Sequence, residues 1–236
     1  MAIILGIETS TSVCSVAISR GDNILAFRES DGNNEHSALV TPYIAEVCAE
    51  VQISINKIDA VAVSMGPGSY TGLRIGVSTA KGLCFALEKP LIFVDTLKAL
   101  AWQALQQLQP DESRGMGLLL CPMLDARRME VFTAIYDWNL EMIGPIKAMI
   151  VDRESFEGYS AKEIFIFGNG ADKCKVSFQT KRNIHLIPDI ETSAKAICQL
   201  AQSDFLLSNF TDLAYSEPFY LKDFIAGKPR VKGLFD

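Results

Sequence analysis

Met1-Ala-Ile-Ile-Leu-Gly-Ile-Glu-Thr-Ser-Thr-Ser-Val-Cys-Ser-Val-Ala-Ile-Ser-Arg-Gly-Asp-Asn-Ile-Leu-Ala-Phe27 alternates β-rich runs with turn formers. Ile3 to Ile7, Val13 to Ser19 and Ile24 to Phe27 carry the branched side chains that suit a pleated surface, and Gly21-Asp22-Asn23 supplies a tight reversal between the last two. Three strands joined by consecutive hairpins is the reading. From Ser37 to Val51 the period changes: Leu39, Val40, Tyr43, Ile44, Val47, Cys48 and Val51 fall on one side at about 100° per residue, which predicts a helix. Pro42 suits that helix in its first turn. Asp59 to Met65 is a continuous apolar run, the mark of a strand covered on both faces, and Gly66-Pro67-Gly68-Ser69 ends it. Helical spacing resumes from Thr71 to Leu87. Leu91 to Val94 is a second buried strand, and Thr96 is placed to cap a helix that runs through Trp102 towards Leu108.

The same grammar then repeats. Leu118 to Leu124, Met129 to Tyr136 and Glu141 to Ile150 are strand-like runs separated by Asp125-Ala126-Arg127 and Asp137-Trp138-Asn139. A short helix near Arg153, a strand Ile164 to Phe167, a turn at Gly168-Asn169-Gly170, a strand Ile184 to Ile187 and a helix from Ser193 towards Leu207 complete the pattern. Gln109 to Gly115, with its Pro, Gly and charges, is the best linker candidate. The expectation is a duplicated α/β chain of two ribonuclease H-like subdomains, 1–108 and 109–236, the second abbreviated.

Composition narrows the function. In 236 residues, 49% of them hydrophobic, the chain has the material for a full core and should bury about 70% of its unfolded surface without disulfide or metal. Twenty-two Lys and Arg against twenty-eight Asp and Glu leave a net charge of −6, which argues against nucleic acid as the sole partner. Six scattered cysteines form no C-x-x-C pair and read as buried thiols of a reducing compartment. No apolar run approaches the ~20 residues of a membrane span, so cytoplasm is the expected location. Two histidines, His36 and His185, exclude a multi-histidine metal centre; surface or capping roles suit them better. Ser64, Ser69 and Ser78 lack the G-x-S-x-G elbow of a serine hydrolase. Lys222, Lys228, Arg230 and Lys232 make a basic tail that would reach RNA or an acidic partner, or simply be a solvated terminus.

Two loops can carry chemistry. Gly6 to Thr11 puts Glu8 and hydroxyls at the end of the first strand, where sugar-kinase and actin-like proteins hold phosphate and magnesium. Those proteins usually have Asp there, and the longer Glu8 would reposition a metal. Thr9 to Ser12 is equally a hydrogen-bonded turn. Gly66 to Gly72 joins strand to helix, so its N–H groups suit an anion, although no Lys follows as in a Walker loop. Alternatively Ser69 or Thr71 only caps the helix. The candidate phosphate site is therefore Glu8, Thr9, Ser10, Gly66, Gly68 and Ser69.

The helices suggest a second role. Gly72, Gly76 and Ala80 recur every four residues, a stripe that admits another helix backbone, beside Leu73, Val77, Leu83, Cys84 and Leu87. Behind the large apolar arc of the Ser37–Val51 helix lie Ala38, Pro42, Ala45 and Ala49. Apolar residues on more than one side point to a protein–protein interface, or to helices sandwiched within the domain. The candidate interface positions are Leu39, Tyr43, Val47, Gly72, Gly76, Ala80 and Leu83.

Ile7 to Ala17, Gly66-Pro-Gly-Ser-Tyr-Thr-Gly-Leu-Arg-Ile-Gly76, Leu124-Asp-Ala-Arg-Arg-Met-Glu-Val131 and Glu217-Pro-Phe-Tyr-Leu221 resemble, in the same order and across most of the chain, the bacterial TsaB (YeaZ) family. The resemblance implies an actin-like/sugar-kinase (ASKHA) fold and a non-catalytic scaffold subunit of the machinery that adds threonylcarbamoyl to the adenosine beside the anticodon of tRNA. It implies a TsaD-type catalytic partner, a TsaE-type ATPase joining the pair, a homodimer in isolation, tRNA contact at most indirect, and no membrane. TsaC, in the family, makes the threonylcarbamoyl-adenylate donor. ATP and metal belong to those partners, so neither cofactor nor metal ligand is expected here. The H-x-x-x-H metal pair of TsaD would fall on Thr96 and Leu100, which cannot hold an ion. The rival readings are an ATP-binding phosphotransferase and a metallopeptidase of the actin-like group.

Overall fold

The computed structural model describes residues 1–32, 35–109, 115 and 117–222. Most of the linker candidate and the tail beyond Lys222 lie outside them. The first half opens as a meander, β1 (Ile3–Glu8), β2 (Ser15–Arg20) and β3 (Asn23–Glu29), and continues through α1 (His36–Glu50), β4 (Ala60–Gly66), α2 (Tyr70–Leu87), β5 (Leu91–Asp95) and α3 (Thr96–Leu108). Its sheet has the order β3-β2-β1-β4-β5, antiparallel across the hairpins and parallel from β1 to β4 to β5.

The second half repeats this plan with β6 (Leu118–Asp125), β7 (Glu130–Asp137), β8 (Met142–Ile150), β9 (Glu163–Phe167) and β10 (Ile184–Leu186). The order β10-β9-β6-β7-β8 is the first sheet's order again, with the same pattern of parallel and antiparallel neighbours. What is abbreviated is the helical cover. No helix forms near Arg153, because the Asp152 carboxylate accepts from Glu154 N and Ser155 Oγ and turns the chain, so only a 3₁₀ turn, Glu157–Tyr159, separates β8 from β9. A single turn, α4 (Lys175–Phe178), stands where the first half has α2, and α5 (Ala194–Leu206) closes the chain's last repeat.

The helices sort by face. Leu5, Ile7, Val16, Ile18, Val61 and Val63 point to α1 and α2, while Ile4, Ala60, Ala62, Ile92 and Val94 point to Ala196, Ile197 and Ala201 of α5. Strand alternation alone produces this division. The halves also exchange their last helices: Leu97, Leu100, Ala101 and Ala104 of α3 pack with Leu118, Leu120, Phe132 and Tyr136 of the second sheet, and α5 covers the first. Asp95 ties the two, its Oδ1 accepting from Leu97 N (2.7 Å) and Lys98 N (3.3 Å) and its Oδ2 from the Tyr136 hydroxyl (2.9 Å). Asp95, not Thr96, is thus the cap of α3; Thr96 is its first residue. Pro42 falls in the second turn of α1 rather than the first, on the exposed side, where water can reach the Ala38 carbonyl it leaves without a donor. All six cysteines are buried free thiols.

Candidate functional site

The two candidate loops meet at the edge where β1 and β4 end. Ser69 N donates to Ser10 O (2.6 Å), and Thr9 Oγ1 donates to Gly72 O (2.8 Å). The approach needs glycine: a Cβ on Gly68 would stand 2.4 Å from Ser10 O, on Gly72 2.0 Å from Thr9 O, and on Gly76 2.2 Å from Thr9 Oγ1. His36 seals the same seam from α1, its ring Nε2 2.7 Å from Thr11 O with the residue 3% exposed; it is a buried strut rather than a surface histidine. His185 lies far away in sequence and sheet, paired with Glu163 at 2.5 Å.

Glu8 lies beneath this seam with no exposed surface. Its Oε1 accepts from Ser10 N (2.6 Å) and Ser64 Oγ (2.9 Å), and burial pushes its pKa above the ordinary value against these lowering hydrogen bonds. A magnesium or phosphate ligand would have to present its oxygens or donors to open space. Here Glu8, Thr9 and Ser10 are buried, Ser69 N is held by Ser10, and Gly72 N donates to Ser69 Oγ (3.3 Å), the helix cap. Glu8, Thr9, Ser10, Gly66, Gly68 and Ser69 are therefore brought together as expected and latched to one another, while Glu8 Oε2 and Ser10 Oγ are buried with no hydrogen-bond partner among the described residues.

A strap unannounced by hydropathy closes the seam further. Phe219 N donates to Met65 O (2.7 Å), and the Tyr220 ring packs tilted against Tyr70, centroids 4.7 Å apart, while its hydroxyl accepts from Arg74 Nε (3.3 Å). Lys81 Nζ reaches the Ala214 and Ser216 carbonyls (3.3 and 3.0 Å), and Leu221 joins the core of the second sheet. The only sequence signal for it was the Glu217-Pro-Phe-Tyr-Leu221 segment itself.

The interface candidates divide in the structure. Gly72, Gly76, Ala80 and Val47 are buried inside the chain, facing β1, β4 and the neighbouring helix, so they do not present an interface. Within the stripe, Gly72 and Gly76 serve the close approach to Thr9. Leu39, Tyr43 and Leu83 are half-buried at the margin. The open surface lies on the opposite side: Ala38, Pro42, Ala45 and Ala49 of α1 with Ser78, Gly82, Phe85 and Ala86 of α2, Phe85 being 81% exposed. Thr96 and Leu100 are both fully buried, and among the described residues no group of three or more His, Cys, Asp or Glu stands in position to hold a metal.

Residues 30–223 match the family of TsaD, tRNA N6-adenosine threonylcarbamoyltransferase. The chain is 29% identical over 236 residues to the tRNA threonylcarbamoyladenosine biosynthesis protein TsaB of Escherichia coli (strain K12), a match that covers 95% of this chain and 96% of that protein. It is 32% identical over 145 residues to TsaB of Bacillus subtilis (strain 168), covering 60% of this chain and 59% of that protein. In fold it is similar to YeaZ from Pseudomonas aeruginosa, with a TM-score of 0.81 at 24% identity over 94% of this chain and 100% of that one. It also resembles the activator of 2-hydroxyisocaproyl-CoA dehydratase from Clostridium difficile, with a TM-score of 0.50 at 9% identity over 88% of this chain and 96% of that one. With its two sheets of matching order in an actin-like/sugar-kinase arrangement, the chain belongs to the TsaD family, on its TsaB (YeaZ) side.

Proposed function

We propose that the chain serves tRNA threonylcarbamoyladenosine formation as a non-catalytic subunit that stabilises a TsaD-type catalytic partner. A TsaE-type ATPase joins that pair, a self-paired dimer forms when the partner is absent, and the work is cytoplasmic. ATP and metal reside on the partners, consistent with Glu8 wrapped by Ser10 and Ser64 and with Thr96 and Leu100 buried at the positions where the resemblance would put metal histidines. The division at 108/109 is our proposed domain division in chain order.

The observation that carries this reading is the contrast between a latched loop pair and an open helix face. Small residues on α1 let a partner backbone approach closely, and the exposed ring of Phe85 supplies the kind of aromatic anchor that dominates interface energetics. The test is Phe85→Asp together with Ala45→Glu. Both sites point outward, so the variant chain keeps its melting temperature and loses co-purification with the TsaD-type subunit. Undiminished co-purification overturns the docking face; threonylcarbamoylation of tRNA by the purified chain alone overturns the scaffold role.

A further inference from the structure

The hairpin between β6 and β7 turns through Arg127 and Arg128, both left-handed, with φ of 67° and 52°. That region strains any residue with a Cβ, and glycine, asparagine or aspartate are its usual occupants in turns. The fold supports the strained turn from below. Lys173 Nζ donates to the Arg128 and Glu130 carbonyls (3.1 and 2.6 Å), and Asp125 Oδ1 accepts from Arg127 N (2.9 Å). Each acid at the turn is matched by a lysine: Asp125 pairs with Lys173, and Glu130 with Lys222. The two arginines are exposed and make no ion pair or side-chain hydrogen bond among the described residues. A chain of net charge −6 thus holds out two unneutralised guanidinium groups on a braced hairpin turn.

We propose that this tip binds the phosphodiester backbone of RNA. Two neighbouring exposed guanidinium groups on a hairpin turn can lie along a polyanion, and the planar guanidinium fork matches phosphate oxygens. A protein partner would need a broad apolar surface around its charged anchors, and the described residues beside the turn offer just Met129 and, opposite Glu130 on β8, Ile150. The inference deepens the proposed function and rests on it, since that reading places the chain in an assembly acting on tRNA.

The test uses the full chain, alone and with its TsaD-type partner, and a fluorescein-labelled unmodified tRNA transcript at 50 to 200 mM salt. Arg127→Asn with Arg128→Gly keeps residues that favour left-handed turns, and Arg127→Gln with Arg128→Gln serves as a second variant. The expected result is affinity about tenfold weaker at low salt and a log K against log salt slope shallower by about 1 to 2, one for each phosphate that an arginine no longer neutralises. No RNA binding by the unaltered chain and complex, or an unchanged slope in both variants, overturns the proposal. Loss of a protein partner with RNA affinity intact also overturns it, in favour of an acidic protein surface. Capture of the TsaD-type subunit, measured in parallel on the same variants, separates this outcome from failure of the scaffold reading.

Discussion

Gly76→Ala places one methyl group where the sequence, read alone, would welcome it. In an exposed helix the change stabilises by about 1 kcal/mol, because alanine loses less backbone entropy than glycine. In this chain the new Cβ would stand 2.2 Å from Thr9 Oγ1 and 3.4 Å from Val63 Cγ2. Thr9 is fully buried, and its hydroxyl is committed to Gly72 O at 2.8 Å. Either α2 moves off β1, at the cost of overpacking, about 1–3 kcal/mol, or Thr9 turns away and leaves a buried hydroxyl and carbonyl unpaired, also about 1–3 kcal/mol. Set against the propensity gain, the net is a destabilisation of up to about 2 kcal/mol, and Gly76→Leu costs more. Urea unfolding followed by circular dichroism reads this as a lowered midpoint at constant slope. Gly82→Ala is the control, since a Cβ there meets nothing within 4 Å, and it should stabilise by about 1 kcal/mol. Thr9→Ala removes the obstructing oxygen, so Gly76→Ala should cost less in that background, with a coupling of about 1–2 kcal/mol. A Gly76→Ala chain more stable than the parent, or strict additivity with Thr9→Ala, would refute the packing argument.

Burial raises the Glu8 carboxyl pKa, so the folded state holds a proton that the unfolded state releases as pH rises above the ordinary glutamate value. Its contribution to stability is full below that value and is lost as pH rises through the folded pKa; the stability difference between Glu8→Gln and the parent, from urea midpoints between pH 4 and 8, should therefore move in favour of glutamine with rising pH, and a flat difference contradicts it. Tyr136→Phe breaks the bond from the buried Tyr136 to the half-buried Asp95 and should destabilise by about 1–3 kcal/mol in the same assay, an effect that a neutral result would disprove. Residues 1–108 and 109–236, expressed separately, should each lack cooperative unfolding, because each would bare a sheet face that the other's helix covers; a sharp thermal transition in either piece counters the exchange argument. Isothermal calorimetry of the isolated chain with millimolar magnesium-ATP should register no binding heat, and saturable binding would show that the latch opens.

The strands and helices are legible in the sequence because period 2 and period 3.6 are local properties, and the repeated meander announces the duplication without any knowledge of which residues touch. Which side of a helix faces inward is not legible. Gly72, Gly76 and Ala80 share a face by spacing alone, but only the position of Thr9, more than sixty residues before Gly72, decides that the face is internal. In α1 the alanine–proline side and the valine–isoleucine side are both apolar, so hydropathy gives no direction; the sheet selects Val40, Ile44 and Val47. Glu8 is readable as a strand-end carboxylate, yet the hydrogen bond that its Oε1 accepts from Ser64, 56 residues away, is not. The cap of α3 falls one residue earlier than expected because Asp95 and Thr96 are both competent caps, and the end of β5 selects the former.

The latch, the strap and the Asp95–Tyr136 bond answer one mechanical need. In a two-sheet fold with a cleft, the angle between the halves is free unless a ligand or the chain itself fixes it. Here Ser69 and Ser10 close the loops of the first half, Phe219 pins the strap to Met65, and Lys222 at the end of the strap pairs with Glu130 on β7, while α3 and α5 cross between the sheets. These contacts brace the sheets that carry α1 and α2 from within the chain, and a rigid surface loses less entropy when a partner covers it. On the proposed reading, a face braced in this way would meet its partner with little to reorganise.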